Sequence, residues 1–344
     1  MSPLLQKILQ IESESYDQME MQDFLIGHAD QEGFDAEQDE AGNLYLTKGK
    51  AETYPCVVAH MDTVHSIHGD GIVAVEVNGL VTGINPKTME QTGIGGDDKC
   101  GIYAALFCLH NLDACKAVFF VDEEVGCIGS SNCVLEFFED CRFVLQADRR
   151  GNGDWVSDIS GALGSPEFQE AVAPIIGRYG FKPCHGMMSD VMALRDSKVG
   201  ISVANMSAGY YNPHQAGEFI NLKDLDNVSD MMVALCRELV ECYPFTYTAP
   251  VVKRGWDWSQ RSGRSRKPKS ETVVSDWFWE KKMKAEVEDA SQSMFPDFDK
   301  IVEEIEQEYC QNCHSIYPPD DLVQVASDCF ICQGCHREVY GGSK

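Results

Sequence analysis

The chain has 344 residues, apolar side chains at 44% and a formal net charge of −27. Length and apolar content fit one large domain with a real core, or one domain plus an appendage. The charge argues against a general binder of nucleic acid or anionic membrane, and no apolar run is long enough to cross a bilayer.

The opening "MSPLLQKILQIES" shows no basic start, apolar run and small-residue cleavage site, so a cytoplasmic location with reduced cysteines is expected. Ser2 and Pro3 predict the cap and first turn of a helix. A second amphipathic helix is expected over Gln18 to Gln31. "GNLYLTKG" reads as a strand entered by a turn, and "PCVVAHMD" as a short buried strand. Asn78-Gly79 inside "GIVAVEVNGLVTGI" is a hairpin signal. A helix from about Gly101 to Leu112 follows a glycine-rich turn. "AVFFVDEE" and "FVLQAD" are apolar strands that end in acid. After Asp148 come a loop and a helix, then the buried strand "VGISVANMS" and an amphipathic helix in "NLKDLDNVSDMMVALCRELVECY". This alternation predicts an α/β fold, a doubly wound, mainly parallel sheet flanked by helices.

Composition changes after Pro250. The reading divides the chain into a catalytic domain over 1–249, a basic linker over 250–270, an acidic helical segment over 271–308 and a tail over 309–344. Ten of the 15 cysteines are scattered through the first 309 residues and read as small buried hydrophobes. The other five crowd the last 35. Cys310 and Cys313 form one Cys-x-x-Cys knuckle. The second is Cys332 with Cys335, preferred over Cys329 with Cys332 because "FIC" reads as a strand leading into it. Two such knuckles bind one structural zinc tetrahedrally, which makes the tail a small C-terminal four-cysteine zinc finger that needs its metal to fold. His314 and His336 are alternative ligands. The role of the tail stays open between partner docking, oligomerisation and nucleic-acid contact; the basic linker allows the last, and the acidic helices just before the finger argue against it.

The strand ends carry the chemistry. "VVAHMDTVHS" places His60 and Asp62 two apart, on the same side of a strand, so one can face a metal while the other fixes its ring. "GGDDKCG" brings Asp97 and Asp98, "DEEVGCIGS" brings Asp122, Glu123 and Glu124, and "FVLQAD" ends in Asp148. "NPHQAGEF" carries His214. In an open parallel sheet the carboxyl ends of the strands line one crevice. Carboxylates gathered there repel, and a bound dication removes the conflict; zinc, manganese or cobalt suits such donors. Adjacent glutamates point in different directions, so one suits metal and the other a proton.

In order along the chain, "HMDTV", "GGDDKCG", "DEEVGCIGS", "QAD" and "NPHQAGEF" resemble the co-catalytic di-zinc aminopeptidases and carboxypeptidases, most closely the peptidase T type. The acetylornithine deacetylase-like enzymes and the bacterial leucyl aminopeptidases share that metal core. The resemblance spans about Met1 to Tyr243. It implies that Asp97 bridges two zinc ions, that His60 and Asp148 complete one site, and that Glu124 and His214 complete the other. It implies Glu123 as general base, Asp62 as the clamp behind His60, and a cis peptide between Asp97 and Asp98. The expected reaction is hydrolysis of an amide bond in short peptides by a water shared between the metals. Deacylation of N-acyl amino acids on the same core and an inactive zinc-binding adaptor are the alternatives. Peptidase T-like enzymes insert a lid domain between the segments holding Asp148 and His214. Only 65 residues lie there in this chain, so the lid is expected to be absent. His185, Tyr210, Tyr211 and Arg149 are candidate replacements for its oxyanion donor, Asp190 is a candidate pocket residue, and Cys100 and Cys127 read as packing.

Overall fold

Ser2 and Pro3 open the first helix. The Ser2 hydroxyl accepts a hydrogen bond from the Leu5 amide at 3.2 Å, and proline in the first turn gives up no intrahelical bond. The computed structural model describes residues 1–64 and 71–248, and the strands at 322–326 and 329–332. The chain divides into two units, Met1–Ala249 and Pro250–Lys344.

In the first unit, α1 (Pro3–Leu9) and α2 (Met19–Glu32) precede β1 (Asp35–Gln38), β2 (Leu44–Lys48) and β3 (Tyr54–His60). The hairpin of β4 (Val73–Val77) and β5 (Leu80–Ile84) follows, then β6 (Gln91–Thr92), α3 (Gly96–Asn111) and β7 (Cys115–Phe120). Next come α4 (Ile128–Ser131), β8 (Cys141–Ala147), β9 (Asp154–Asp158), α5 (Pro166–Arg178), β10 (Lys182–His185) and α6 (Asp190–Asp196). β11 (Val203–Met206), β12 (Tyr210–Tyr211), β13 (Phe219–Asn221) and α7 (Leu222–Glu238) complete the unit.

The main sheet has eight strands in the order β1-β2-β7-β3-β8-β11-β9-β10. Its centre, β7-β3-β8-β11, is parallel. The β1–β2, β2–β7 and β11–β9 pairs are antiparallel. The β9–β10 pair at one edge is parallel as well, so the sheet is mixed, with parallel pairs in the majority as expected. A second, antiparallel sheet contains β12-β13-β5-β4, with β6 beside β5. Asn78-Gly79 makes its hairpin turn: Val77 pairs with Leu80, and both loop residues have positive φ, +54° and +81°. That backbone matches the twist of the strands it joins, and Asn and Gly tolerate it best.

Every residue of β3 is buried. Val57 and Ala59 join the hydrophobic cluster that includes Ile102 and Leu106 of α3 and Met231 and Met232 of α7. Cys56 and Val58 join the opposite cluster, with Val191 and Leu194 of α6. Cover on both faces is why this strand reads as an unbroken apolar run rather than an alternation. The strand β9 was not expected. Among its residues only Trp155 and Val156 are buried, too few to stand out between Gly151, Gly153 and Asp158. All residues between Asp148 and His214 stay within the first unit, and β9, β10 and β11 extend its main sheet.

In the second unit, β14 (Leu322–Ala326) pairs antiparallel with β15 (Cys329–Cys332). The "FIC" segment is thus in a strand. Cys310, Cys313 and Cys335, the linker and the acidic segment lie outside the described residues, as does the side chain of Cys332.

Phe119 is fully buried in β7 at the centre of the sheet. Phe119→Ala is expected to cost about 3–5 kcal/mol of stability, read from the urea midpoint of unfolding.

Candidate functional site

Register brings the strand ends together. His60 pairs with Phe120 of β7, and Val58 pairs with Gln146 of β8, so His60 is level with the start of the "VDEE" segment and with Asp148. His214 arrives from the loop between β12 and β13, and Asp97 from the first turn of α3.

The two imidazoles flank one carboxylate. His60 Nε2 lies 3.3 Å from Asp97 Oδ1, and His214 Nε2 lies 3.2 Å from Asp97 Oδ2. Asp148 Oδ1 is 3.7 Å from His60 Nε2, and Glu124 Oε1 is 2.9 Å from His214 Nε2. Glu123 Oε2 stands 3.9 Å from His60 Nε2. Donors about 2.0–2.2 Å from one tetrahedral ion stand roughly 3.3–3.6 Å apart, and the observed spacings bracket that range. Glu124 Oε1 is buried and has no hydrogen-bond partner, because its approach to His214 lacks hydrogen-bond geometry. A buried carboxylate oxygen left over in this way is costly unless a cation takes it. The donor set therefore fits zinc-class dications. His60, Asp97, Glu124, Asp148 and His214 are the groups able to hold them.

Asp97 and Asp98, joined by a cis peptide bond, have different surroundings. Asp98 could also group with His60 and Asp148. Its Oδ2 accepts from the His60 amide at 3.2 Å and its Oδ1 from the Gly101 amide at 3.0 Å, so both oxygens are already committed to backbone. Both Asp97 oxygens face imidazoles instead. A Cβ on Gly101 would lie within 2.4 Å of both Asp98 carboxylate oxygens and 2.6 Å from the Ala147 carbonyl, so only glycine lets α3 approach this closely.

Asp62 braces four partners. His60 Nδ1 is 2.9 Å from its backbone carbonyl and 3.3 Å from its Oδ1. The same carboxylate accepts from the amides of Glu123 at 2.9 Å and Glu124 at 3.2 Å, and from the Ser15 hydroxyl at 2.8 Å. It orients the ring and sets the turn that carries both glutamates. Asp122, Cys127 and His214 adopt the left-handed conformation, a local cost of about 1–3 kcal/mol each that gathers around this site.

Several positioning residues escaped the sequence reading. Glu218 is fully buried and accepts from the Gly95 amide at 2.7 Å and the Asp97 amide at 3.2 Å, pinning the turn that presents Asp97. The "HQAGEF" stretch contains it, but only its histidine has a ligand signature. Asn205 accepts from the Asp148 amide and donates to the Asp148 carbonyl, both at 2.9 Å. Lys99 is buried and donates to the Ile11 carbonyl at 2.6 Å and the Leu9 carbonyl at 3.3 Å, tying the N-terminal segment beneath the site. Burial pulls its ammonium down to about 8.

Of the four oxyanion candidates, only Tyr210 reaches the cluster, its hydroxyl 3.3 Å from Asp148 Oδ1. Arg149 pairs with Asp154, Tyr211 donates to Asp224, and His185 approaches Asp158. Asp190 lies in the first turn of α6, after the N-cap Ser189. The Asp190 carboxylate is buried, accepts from Gln146 Nε2 at 2.9 Å and keeps Oδ1 unpartnered. Cys100 is buried as expected, whereas Cys127 Sγ lies 3.5 Å from Glu123 Oε1.

Gathering these groups without a cation distorts their titration. Burial, with repulsion from Asp148, Asp190 and Glu124, pushes Glu123 up to about 9. Burial and Asp97 push Asp148 up to about 8. The Asp97 and Glu124 carboxylates beside its Nε2 raise His214 to about 10. Burial opposes the charge on His60, but Asp148, Asp62 and Asp97 outweigh it and raise the ring well above its ordinary value. Burial also disfavours the charge on Asp97, yet its two imidazole partners hold it below the carboxylate range.

No protein-family model matches the chain, and no curated protein matches it. Solved structures do. Aminopeptidase PepT from Bacillus cereus superposes with a TM-score of 0.59 at 14% identity, covering 69% of this chain and 97% of that one. A tripeptidase from Staphylococcus aureus gives 0.56 at 16% identity, covering 68% and 96%. An aminopeptidase from the archaeon Desulfurococcus kamchatkensis gives 0.51 at 17% identity, covering 68% and 94%. The fold is that of these aminopeptidases. The similarity accounts for about the share of the chain held in the first unit.

Raised carboxylates and imidazoles stabilise the fold while protonated, and that stability is lost as pH rises through their folded values. Chelator-treated protein is therefore expected to melt at progressively lower temperature from pH 5 to 9, and saturating zinc to reverse the trend, because metal takes the deprotonated ligands. Differential scanning calorimetry across that range checks it.

Proposed function

We propose that the first unit is a metal-dependent hydrolase that cleaves an amide bond of short peptides. The observation that carries this reading is the Asp97 carboxylate, with one oxygen toward His60 and the other toward His214. In this reading His60, Asp97 and Asp148 would hold one zinc-class ion, and Asp97, Glu124 and His214 would hold the other. The aminopeptidase and tripeptidase neighbours support the substrate class.

A pair of dications held there supplies a Lewis acid for the carbonyl and acidity for water. The rest falls to side chains. Glu123 faces the cluster without being tied to an imidazole by a hydrogen bond, so it takes the proton from the attacking water. As the carbon–nitrogen bond breaks, Glu123 returns that proton to the leaving amine. Asp62 keeps His60 in one tautomer and holds the Glu123 amide, so the base and the ring stay in register. Tyr210 donates to Asp148 and is the one oxyanion candidate within reach of the reacting groups. The residues between Asp148 and His214 all belong to the first unit, which supports an open cleft without a separate lid. In the tail, we propose that Cys310, Cys313, Cys332 and Cys335 hold one structural zinc.

The test is a panel of di- and tripeptides, aminoacyl anilides and acetyl-amino acids, with metal-stripped and zinc-, manganese- or cobalt-loaded protein. Turnover of peptides that disappears on chelation is expected; turnover confined to acetyl-amino acids would make the enzyme a deacylase, and none on any substrate an adaptor. Glu123→Gln is expected to keep its metal and lose about 10²–10⁴-fold in kcat. Unchanged turnover removes Glu123 as the base. Asp97→Ala is expected to lose both ions of the cluster, measured by metal analysis; a variant that retains them removes Asp97 as the bridge.

A further inference from the structure

A second group of ligand-type side chains lies at the surface, where α2 meets the end of α3. His28 and Glu32 are four residues apart on α2, so they share one helix face. His110 comes from the last turn of α3. His28 Nε2 and His110 Nε2 are 3.0 Å apart. One ligand atom from each of His28, Glu32 and His110 lies within 4.8 Å of the others.

The trio is held in place by its surroundings. Phe24 stacks on the His28 ring with centroids 6.0 Å apart, and Phe34 lies 6.5 Å from His28 and 6.0 Å from His110. Lys48 Nζ donates to the Leu109 carbonyl at 2.8 Å and reaches the His110 carbonyl at 3.4 Å, which fixes the last turn of α3 from below. That ammonium is therefore engaged by backbone. Two ring nitrogens this close cannot both carry protons, so at least one presents a lone pair to the space they share. A lone hydrogen bond between the rings would satisfy the histidines and leave the carboxylate of Glu32 without a part.

We propose that His28, Glu32 and His110 bind one zinc-class dication that clips α2 to the end of α3. Two imidazole nitrogens and a carboxylate oxygen are a donor set for such an ion, with the remaining position left to water. The clip is separate from the Asp97 cluster. Twelve residues lie between Asp97 and His110 along α3, a separation of roughly 20 Å at 1.5 Å per helical residue. Its role is to fasten the helix that presents Asp97 and not to take part in hydrolysis.

The experiment uses full-length protein stripped by chelator and titrated with Zn²⁺ against a chromophoric competitor. His28→Gln with His110→Gln is expected to bind one equivalent fewer than the parent and to keep its turnover, if the parent turns over. Glu32→Gln, which leaves both imidazoles, is expected to bind that equivalent about tenfold more weakly or worse. Equal zinc uptake by the parent and the double variant overturns the site, and unchanged affinity in Glu32→Gln overturns the three-ligand assignment. If the double variant loses its cooperative unfolding transition, His110→Gln alone, at the end of its helix, is measured by the same criterion. These readouts are metal stoichiometry and affinity, so they stand whether or not the peptidase reading does.

Discussion

The candidate site depends on one carboxylate lying between two imidazoles. Asp97 can face His60 and His214 together only because its own amide is held by Glu218 and its neighbour Asp98 is engaged by the amides of His60 and Gly101. Around it stand Glu123, Asp148 and Asp190, acids whose burial disfavours their charge, and Asp62, whose charge His60 and its hydrogen-bond donors favour. Such a gathering persists because each brace comes from a different element, so no single side chain can relax without displacing backbone. The sheet supplies the platform, and its parallel centre sets His60, Asp148 and the "VDEE" turn at one edge.

Much of this was legible in the chain. The buried strand ending in His60 and Asp62 was visible because apolar residues ran straight into groups that a buried strand has no use for. Asp148 was visible for the same reason. The Asn78-Gly79 hairpin was readable from turn chemistry alone. What stayed hidden has physical causes. The strand β9 has two buried side chains and no pattern. The second sheet is built from pieces more than a hundred residues apart, Leu80–Asn221 and Thr82–Phe219 among its pairs, and local periodicity carries no information about such pairing. Glu218 and Asn205 act on backbone amides, and a residue that serves a backbone has no spacing rule.

The same distinction bears on the structural neighbours. At 14–17% identity the aminopeptidases share little sequence with this chain, yet the fold is similar over 68–69% of it. A core tolerates substitution as long as volume and pattern are kept. The strand-end acids and histidines answer to chemistry instead, which is why short motifs are readable where the intervening sequence is not.

Lys99 gives this architecture an order of assembly. Its ammonium is buried against the carbonyls of Leu9 and Ile11, so the segment that carries them gains this tie only after residue 99 has been made. The site itself waits longer. His214 and Glu218 come from the far end of the unit, after every strand of the main sheet, so a nascent chain carries its acids apart for most of its synthesis. The centre closes late, at one point in translation, and no shorter fragment holds all of its parts.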